Sequence, residues 1–319
     1  MNDIHRRDLL KGIGLLSSTI VLPAHVKKLT SMNESSTIKP FKKKFSYCFN
    51  SSTVRGQKIG LEKEIELVAK AGFNGLELWI PVLNEYKKSG KSIKDLSKKI
   101  KDLGLKVEDG IGFAQWIHDD DALRAKALDQ AKQEMEILTE LGCHRIAAPP
   151  AGATDHEISY DAVADRFGTL LEIGIQQGVI PQLELWGFSK TLYKLSQLMY
   201  VATQCGQPQT RLLIDVFHLY KGGSYVDALK LIGSNAIEIF HMNDYLANMP
   251  KTTITDADRV YPGEGIAPLS NILKDLAHNR DHVVLSLELF NLAYYKQDAF
   301  TVMKMGLEKL KAVVDRVVD

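Results

Sequence analysis

The sequence predicts a single (β/α)8 TIM barrel, and three observations carry that reading. From Phe45 onward, short β-type runs alternate strictly with helical patterns, eight of each. Four later runs end in a group that can bind a hard cation: PQLELWG with Glu184, RLLIDVFH with Asp215, IEIFHMND with His241 and VVLSLELF with Glu288. The intervals between those four residues, 31, 26 and 47, can each hold a helix and its loops. A closed parallel barrel brings groups from four successive strands to one point, which an open doubly wound sheet does not naturally do.

Strands are expected at 45–49, 75–79, 106–111, 145–148, 181–185, 211–215, 237–241 and 282–289. Amphipathic helices are expected near 61–71, 92–103, 121–141, 157–177, 190–204, 225–232, 268–277 and 298–317, with Leu128, Met135, Leu138 and Leu141 showing the helical spacing. Gly72, Gly104, Gly142 and Gly178 each fall shortly after a helix, where a helix stop is expected. One connection, 242–267, is long, and long loops at this end of a barrel act as lids or substrate loops.

The composition is that of a globular protein, 45% hydrophobic and 25% charged over 319 residues, with no apolar run long enough to span a membrane. Lys plus Arg number 40 against 39 Asp plus Glu, and the surplus sits in the first 24 residues. A neutral body argues against nucleic-acid binding that depends on broad phosphate neutralisation. Cys48, Cys143 and Cys205 lack metal-ligand spacing and are expected to be reduced packing residues.

Residues 1–24 read as a targeting segment. Arg6-Arg7 precede the apolar run 12–22, and Pro23-Ala24 follow as a candidate cleavage edge. The string RRDLLKG resembles a twin-arginine export signal, with His5 where Ser or Thr is usual and Leu9 where Phe is common. That predicts a periplasmic protein. Residues 25–43, rich in Lys, Ser and Thr, read as a solvated linker, and 44–319 as the barrel.

Three carboxylates and one imidazole suit a divalent ion such as Mn²⁺, Mg²⁺ or Co²⁺, with Zn²⁺ tolerated. Four ligands leave about two positions open on a six-coordinate ion, enough for a substrate carbonyl and its neighbouring hydroxyl. That geometry suits enolisation, in which an enediolate is stabilised while one carboxylate removes a carbon-bound proton and another group returns it. Glu184 and Glu288 are the expected acid/base pair, and Asp215 and His241 are expected to be ligands alone. His218 and Asp244, each three residues past a ligand, are expected to orient a ligand or to touch substrate. Glu77 ends strand two, and Trp79, Trp116 and Trp186 are expected on the rim, where indole faces suit the C–H faces of a sugar.

The chain resembles the xylose-isomerase-like family of sugar isomerases and epimerases, and within it the inosose isomerases. The resemblance spans roughly 45–319. It is sharpest at YCFNSST (47–53), LLIDVFH (212–218), FHMND (240–244), TDADRVYPGEG (255–265) and SLELFNLAYYK (286–296). It implies one divalent metal at Glu184, Asp215, His241 and Glu288, the two Glu as acid/base pair, and His218 beside the metal ligands. It also implies Arg259 and Glu264 as substrate contacts in the long loop. The implied activity is isomerisation or epimerisation of a keto-sugar or keto-inositol, and the implied partner a small carbohydrate or cyclitol, with room for a homo-oligomer. The leader departs from the family's pattern, whose inosose isomerases are cytoplasmic. It brings in an exported 3-keto-glycoside lyase or hydrolase using the same enolisation. The remaining alternatives are an abasic-site endonuclease, which needs more His and a basic groove, and a non-catalytic sugar-binding barrel.

Overall fold

The computed structural model describes residues 40–317, and the expected leader and nearly all of the expected linker lie outside them. Eight strands close into one parallel barrel in sequence order, as predicted: β1 Phe45–Asn50, β2 Gly75–Trp79, β3 Lys106–Ile111, β4 Arg145–Ala148, β5 Ile180–Glu184, β6 Arg211–Asp215, β7 Ile239–Met242 and β8 Val283–Leu287. Around them run α1 Leu61–Ala71, α2 Ile80–Lys88, α3 Ile93–Asp102, α4 Asp121–Leu141, α5 Tyr160–Gln177, α6 Leu195–Gln204, α7 Val216–Lys221, α8 Leu269–His278 and α9 Ala299–Asp315. Residues 41–43, expected in the linker, form part of a 3-10 turn, and Phe41 packs edge-on against Phe45. Among the described residues, no helix is long and apolar enough to cross a membrane.

Local chemistry explains most boundaries. Asp120 caps α4 by accepting from the Ala122 and Leu123 amides at 2.8 and 2.9 Å. Gly72 and Gly142 end α1 and α4 at φ of 96° and 77°, a conformation that costs a residue with a Cβ. Two helices depart from expectation by following a strand directly. In α2, Pro81 stands in the first turn, where its missing N–H costs nothing, although a proline just after a strand reads first as a turn. In α7, Asp215 is both strand end and cap, its Oδ1 accepting from the His218 amide at 2.8 Å. The helix expected at 225–232 is a 3-10 segment, Val226–Leu231, that buries only Leu229. So short an apolar contact does not sustain a full α-helix.

Two apolar layers result. One lies between barrel and helices; the other fills the lumen with Cys48, Ile111, Ala147, Leu213, Ile239 and Val284. Side chains alternate along a strand, so residues two positions beyond several of these also point inward, at the C-terminal end. They are Asp215 above Leu213, His241 above Ile239 and Ser286 above Val284, with Glu288 one step further. The register sets Asp215 beside His241 and Asn50 beside Glu77.

One buried carboxyl breaks an apolar face. Helix α1 buries Leu61, Ile65 and Val68, and Glu64 shares that side. Burial raises its pKa from 4.5 to about 7, against the lowering effect of the adjacent Ser51 hydroxyl. The unfolded chain loses this proton first, so the carboxyl's contribution to stability is intact below pH 4.5 and is lost as pH rises toward 7. The cost at pH 8 is on the order of 3 kcal/mol. The metal-free protein should therefore melt lower at pH 8 than at pH 5. Calorimetry of Glu64→Gln should show a shallower decline and a higher melting temperature at pH 8.

Candidate metal centre and aromatic pocket

One ligand atom each from Asp215, His241 and Glu288 lies within 4.8 Å of the other two, and all three residues are buried. The imidazole is aimed from behind. Its Nε2 stands 3.0 Å from Glu77 Oε1, and Glu77 is held in turn by Ser286 Oγ and by Asn50 Nδ2 at 3.0 Å. A carboxylate on one ring nitrogen fixes the tautomer and directs the other nitrogen forward. That other nitrogen, Nδ1, is 3.2 Å from Glu288 Oε2 but makes no hydrogen bond. Burial opposes the imidazolium, but the Glu288 and Glu77 carboxylates outweigh it and raise the pKa of His241 well above 6.5.

Asp215 is similarly fixed. Its Oδ2 accepts from Asn243 Nδ2 at 2.8 Å and from Arg259 Nη1 at 2.9 Å. The same Nη1 donates to Glu288 Oε2 at 2.7 Å, so one guanidinium nitrogen bridges two carboxylates of the trio. Arg259 also donates to Asp256 through Nη2 and lies over the rings of Phe217 and Phe290 at 4.5 and 4.9 Å. Burial raises the pKa of Glu288, but the His241 and Arg259 charges overcome it and hold the group below 4.5. The chemistry of the donor set fits a hard divalent ion: two carboxylates and an imidazole nitrogen that faces one of them.

Glu184 lies outside that trio and faces the same pocket. Register is the reason, since Glu184 on β5 is level with Leu213, two residues short of Asp215. Burial pushes its pKa up to about 8; His241 opposes this, while Glu288 and Asp215 add to it. Two carboxyl groups in one pocket are thus pushed apart, Glu184 holding its proton at neutral pH and Glu288 ionised. His218 lines the pocket as well. Burial lowers its pKa to about 4, Arg259 assisting and Asp215 opposing, so the ring is neutral. The Gly187 amide and Arg259 Nη2 approach its two nitrogens at 3.3 and 3.2 Å, and they compete, because a neutral imidazole accepts at only one.

The pocket has a cavity volume of about 150 Å³ and aromatic walls that include Trp79, Phe113, Trp186 and Phe290. Three of the expected residues do not line this pocket. Trp116 is not on the rim. It is buried, its indole N–H donating to Pro149 O at 2.7 Å and its ring edge-on to Phe167, because the loop after β3 turns it away from the lumen. Phe113, two residues past the inward Ile111, takes the rim position, a signal available in the alternation itself. Asp244 touches no ligand of the trio. Its carboxylate accepts from the amides of Tyr245, Gly263, Gly265 and Ala267 at 2.8–3.0 Å and so shapes the long loop. Glu264 accepts from the Tyr294 hydroxyl and pairs with Lys309, and it is not among the residues lining the pocket. Asp256 and Asn50 were not expected at the site; Asp256 stands three residues before Arg259, at ion-pair spacing.

The relationships of the chain agree with this geometry. The model of the xylose isomerase-like TIM barrel family matches residues 65–312. The chain belongs to that family. Inosose isomerase of Bacillus velezensis is 28% identical over 275 residues, covering 84% of this chain and 97% of that protein. Inosose isomerase of Bacillus subtilis is 28% identical over 259 residues, covering 79% and 91%. Among solved structures, the IOLI protein with a binding zinc atom superposes with a TM-score of 0.80 at 26% identity, over 86% of this chain and 99% of that one.

Proposed function

We propose that the protein is an exported, divalent-metal-dependent isomerase or epimerase that moves a proton on a keto-sugar or keto-inositol. The single observation that carries this reading is the buried Asp215–His241–Glu288 trio, whose Glu288 lines, with Glu184, one aromatic-walled pocket. The isomerase relatives and the zinc atom of the related structure support it.

Asp215, His241 through Nδ1, and Glu288 would hold the ion, with Glu184 as the fourth ligand. The hard donor set favours Mn²⁺, Mg²⁺ or Co²⁺, and Zn²⁺ is compatible with it. A bound ion would stabilise negative charge on a substrate carbonyl oxygen as the neighbouring carbon loses its proton. Glu288 and Glu184 form the acid/base pair, one accepting that proton and the other returning one to the adjacent position. Arg259 and His218 bind and orient the hydroxyl groups next to the carbonyl, and Trp79, Phe113, Trp186 and Phe290 cover the C–H faces and exclude water.

Product mass tests the reaction type. Incubation of the Mn²⁺-supplied protein with keto-inositols, ketohexoses and 3-keto-glycosides should conserve mass. Loss of an aglycone would replace isomerisation with elimination or hydrolysis.

Export is part of the same reading, carried by Arg6-Arg7 and the apolar run behind them, which lie outside the described residues. The twin-arginine route carries folded proteins, so the site would close around its ion before export. Changing Arg6-Arg7 to Lys-Lys should leave folded, metal-loaded precursor in the cytoplasm on fractionation. Undiminished delivery to the periplasm would contradict this route.

A further inference from the structure

A second cavity adjoins the first, and Trp79 lines both. It has a volume of about 280 Å³ against about 150 Å³ for the inner pocket, and its walls include Ser51, Arg55, Lys58, Glu64 and Val82. The inner pocket alone is well below the roughly 300–1,000 Å³ typical of drug-sized ligands and suits one small ring. The outer cavity has no part in the proton transfer proposed above.

Its most buried polar groups find little beyond one another. Glu64 Oε1 and Ser51 Oγ are both buried, adjacent to each other and without a further partner, and the two residues are only 9% and 7% exposed. Buried polar atoms in native proteins almost always have a partner, in the chain, in water or in a ligand. The lip between the two cavities is also constructed. The Arg55 guanidinium lies 5.1 Å over the Trp79 ring and 5.0 Å over the Phe290 ring, and Phe290 lines the inner pocket. Trp79 is itself fixed, its Nε1 donating to Asn50 Oδ1 at 3.0 Å.

Given the sugar site proposed above, we infer that this outer cavity is a subsite for a second sugar unit, glycosidically joined to the ring in the inner pocket, with Trp79 as the shared wall. Carboxyl and hydroxyl oxygens inside and a guanidinium at the lip match a polyhydroxy ligand, which both donates and accepts. An indole matches its C–H face. The substrate is then a glycoside larger than one ring.

The test uses the full-length protein supplied with Mn²⁺. Titration calorimetry compares methyl 3-keto-glucosides with 3-keto-disaccharides of several linkages, and NMR in deuterated water follows exchange of their carbon-bound protons. At least one disaccharide should bind about tenfold tighter than the matching methyl glycoside, a gain that Glu64→Gln should reduce to about twofold or less. Val82→Trp, at a position 42% exposed, enters the cavity from its surface side and should reduce the gain equally. The inference is overturned if no disaccharide outbinds its methyl glycoside, or if the gain survives both variants. Methyl glycosides that bind and exchange without any disaccharide gain would remove the outer subsite and leave the proton-transfer reading intact. Absence of both binding and exchange with every probe would remove both.

Discussion

Asp215→Ala and His241→Ala should each purify without a divalent ion and without turnover. Each removes one of three donors that converge within 4.8 Å, and no other side chain in the trio can replace it. The barrel should persist, because its apolar layers lie apart from its C-terminal face. The two variants should differ in stability. Asp215→Ala also removes the α7 cap, a loss of about 1 kcal/mol. His241→Ala leaves the buried Glu77 with only Asn50 and Ser286 as partners, so its metal-free form should melt lower still. Elemental analysis after dialysis, with circular dichroism melts, reads both effects. Wild-type metal content in either variant would exclude the site.

Glu184→Gln and Glu288→Gln should each lose roughly 10²–10⁴-fold in rate, the usual scale of acid–base catalysis. Gln keeps the shape and one oxygen but cannot take or return the proton. The two should separate on metal binding. Glu288 belongs to the convergent trio, so its variant should bind the ion more weakly. Glu184 lies outside the trio, so its variant should keep metal content nearer wild type. If the two groups act at different carbons, one variant should exchange a substrate proton without completing the conversion. Full activity in both variants would exclude the two-carboxylate mechanism.

Much of this was legible in the sequence because a β-strand repeats every two residues. Apolar runs ending in Asp215, His241 or Glu288 mark both the strand and the end at which its last inward side chains gather. Glycine stops such as Gly72 and Gly142 then separate the units. Register was not legible, and it decides that Glu184 is level with Leu213 and not with Asp215. Loop conformation was not legible either. Asp244 and Glu264 stand in polar motifs that suggest contact with substrate, but four backbone amides hold Asp244, and Tyr294 and Lys309 hold Glu264. Those bonds form only once distant segments meet. Glu64 gave the opposite difficulty, since a Glu in the first turn of an amphipathic helix reads as a surface charge favoured by the helix dipole, and here it is buried beside a cavity.

Isotope exchange tests the proton-transfer claim most directly. The full-length protein, supplied with Mn²⁺, would be incubated in deuterated water with a panel of keto-inositols, ketohexoses and 3-keto-glycosides and followed by NMR. The reading predicts that one class exchanges the hydrogen on the carbon next to its carbonyl, with deuterium appearing in the product, and that chelation or His241→Ala stops it. Turnover with complete retention of the substrate's carbon-bound hydrogen would contradict it.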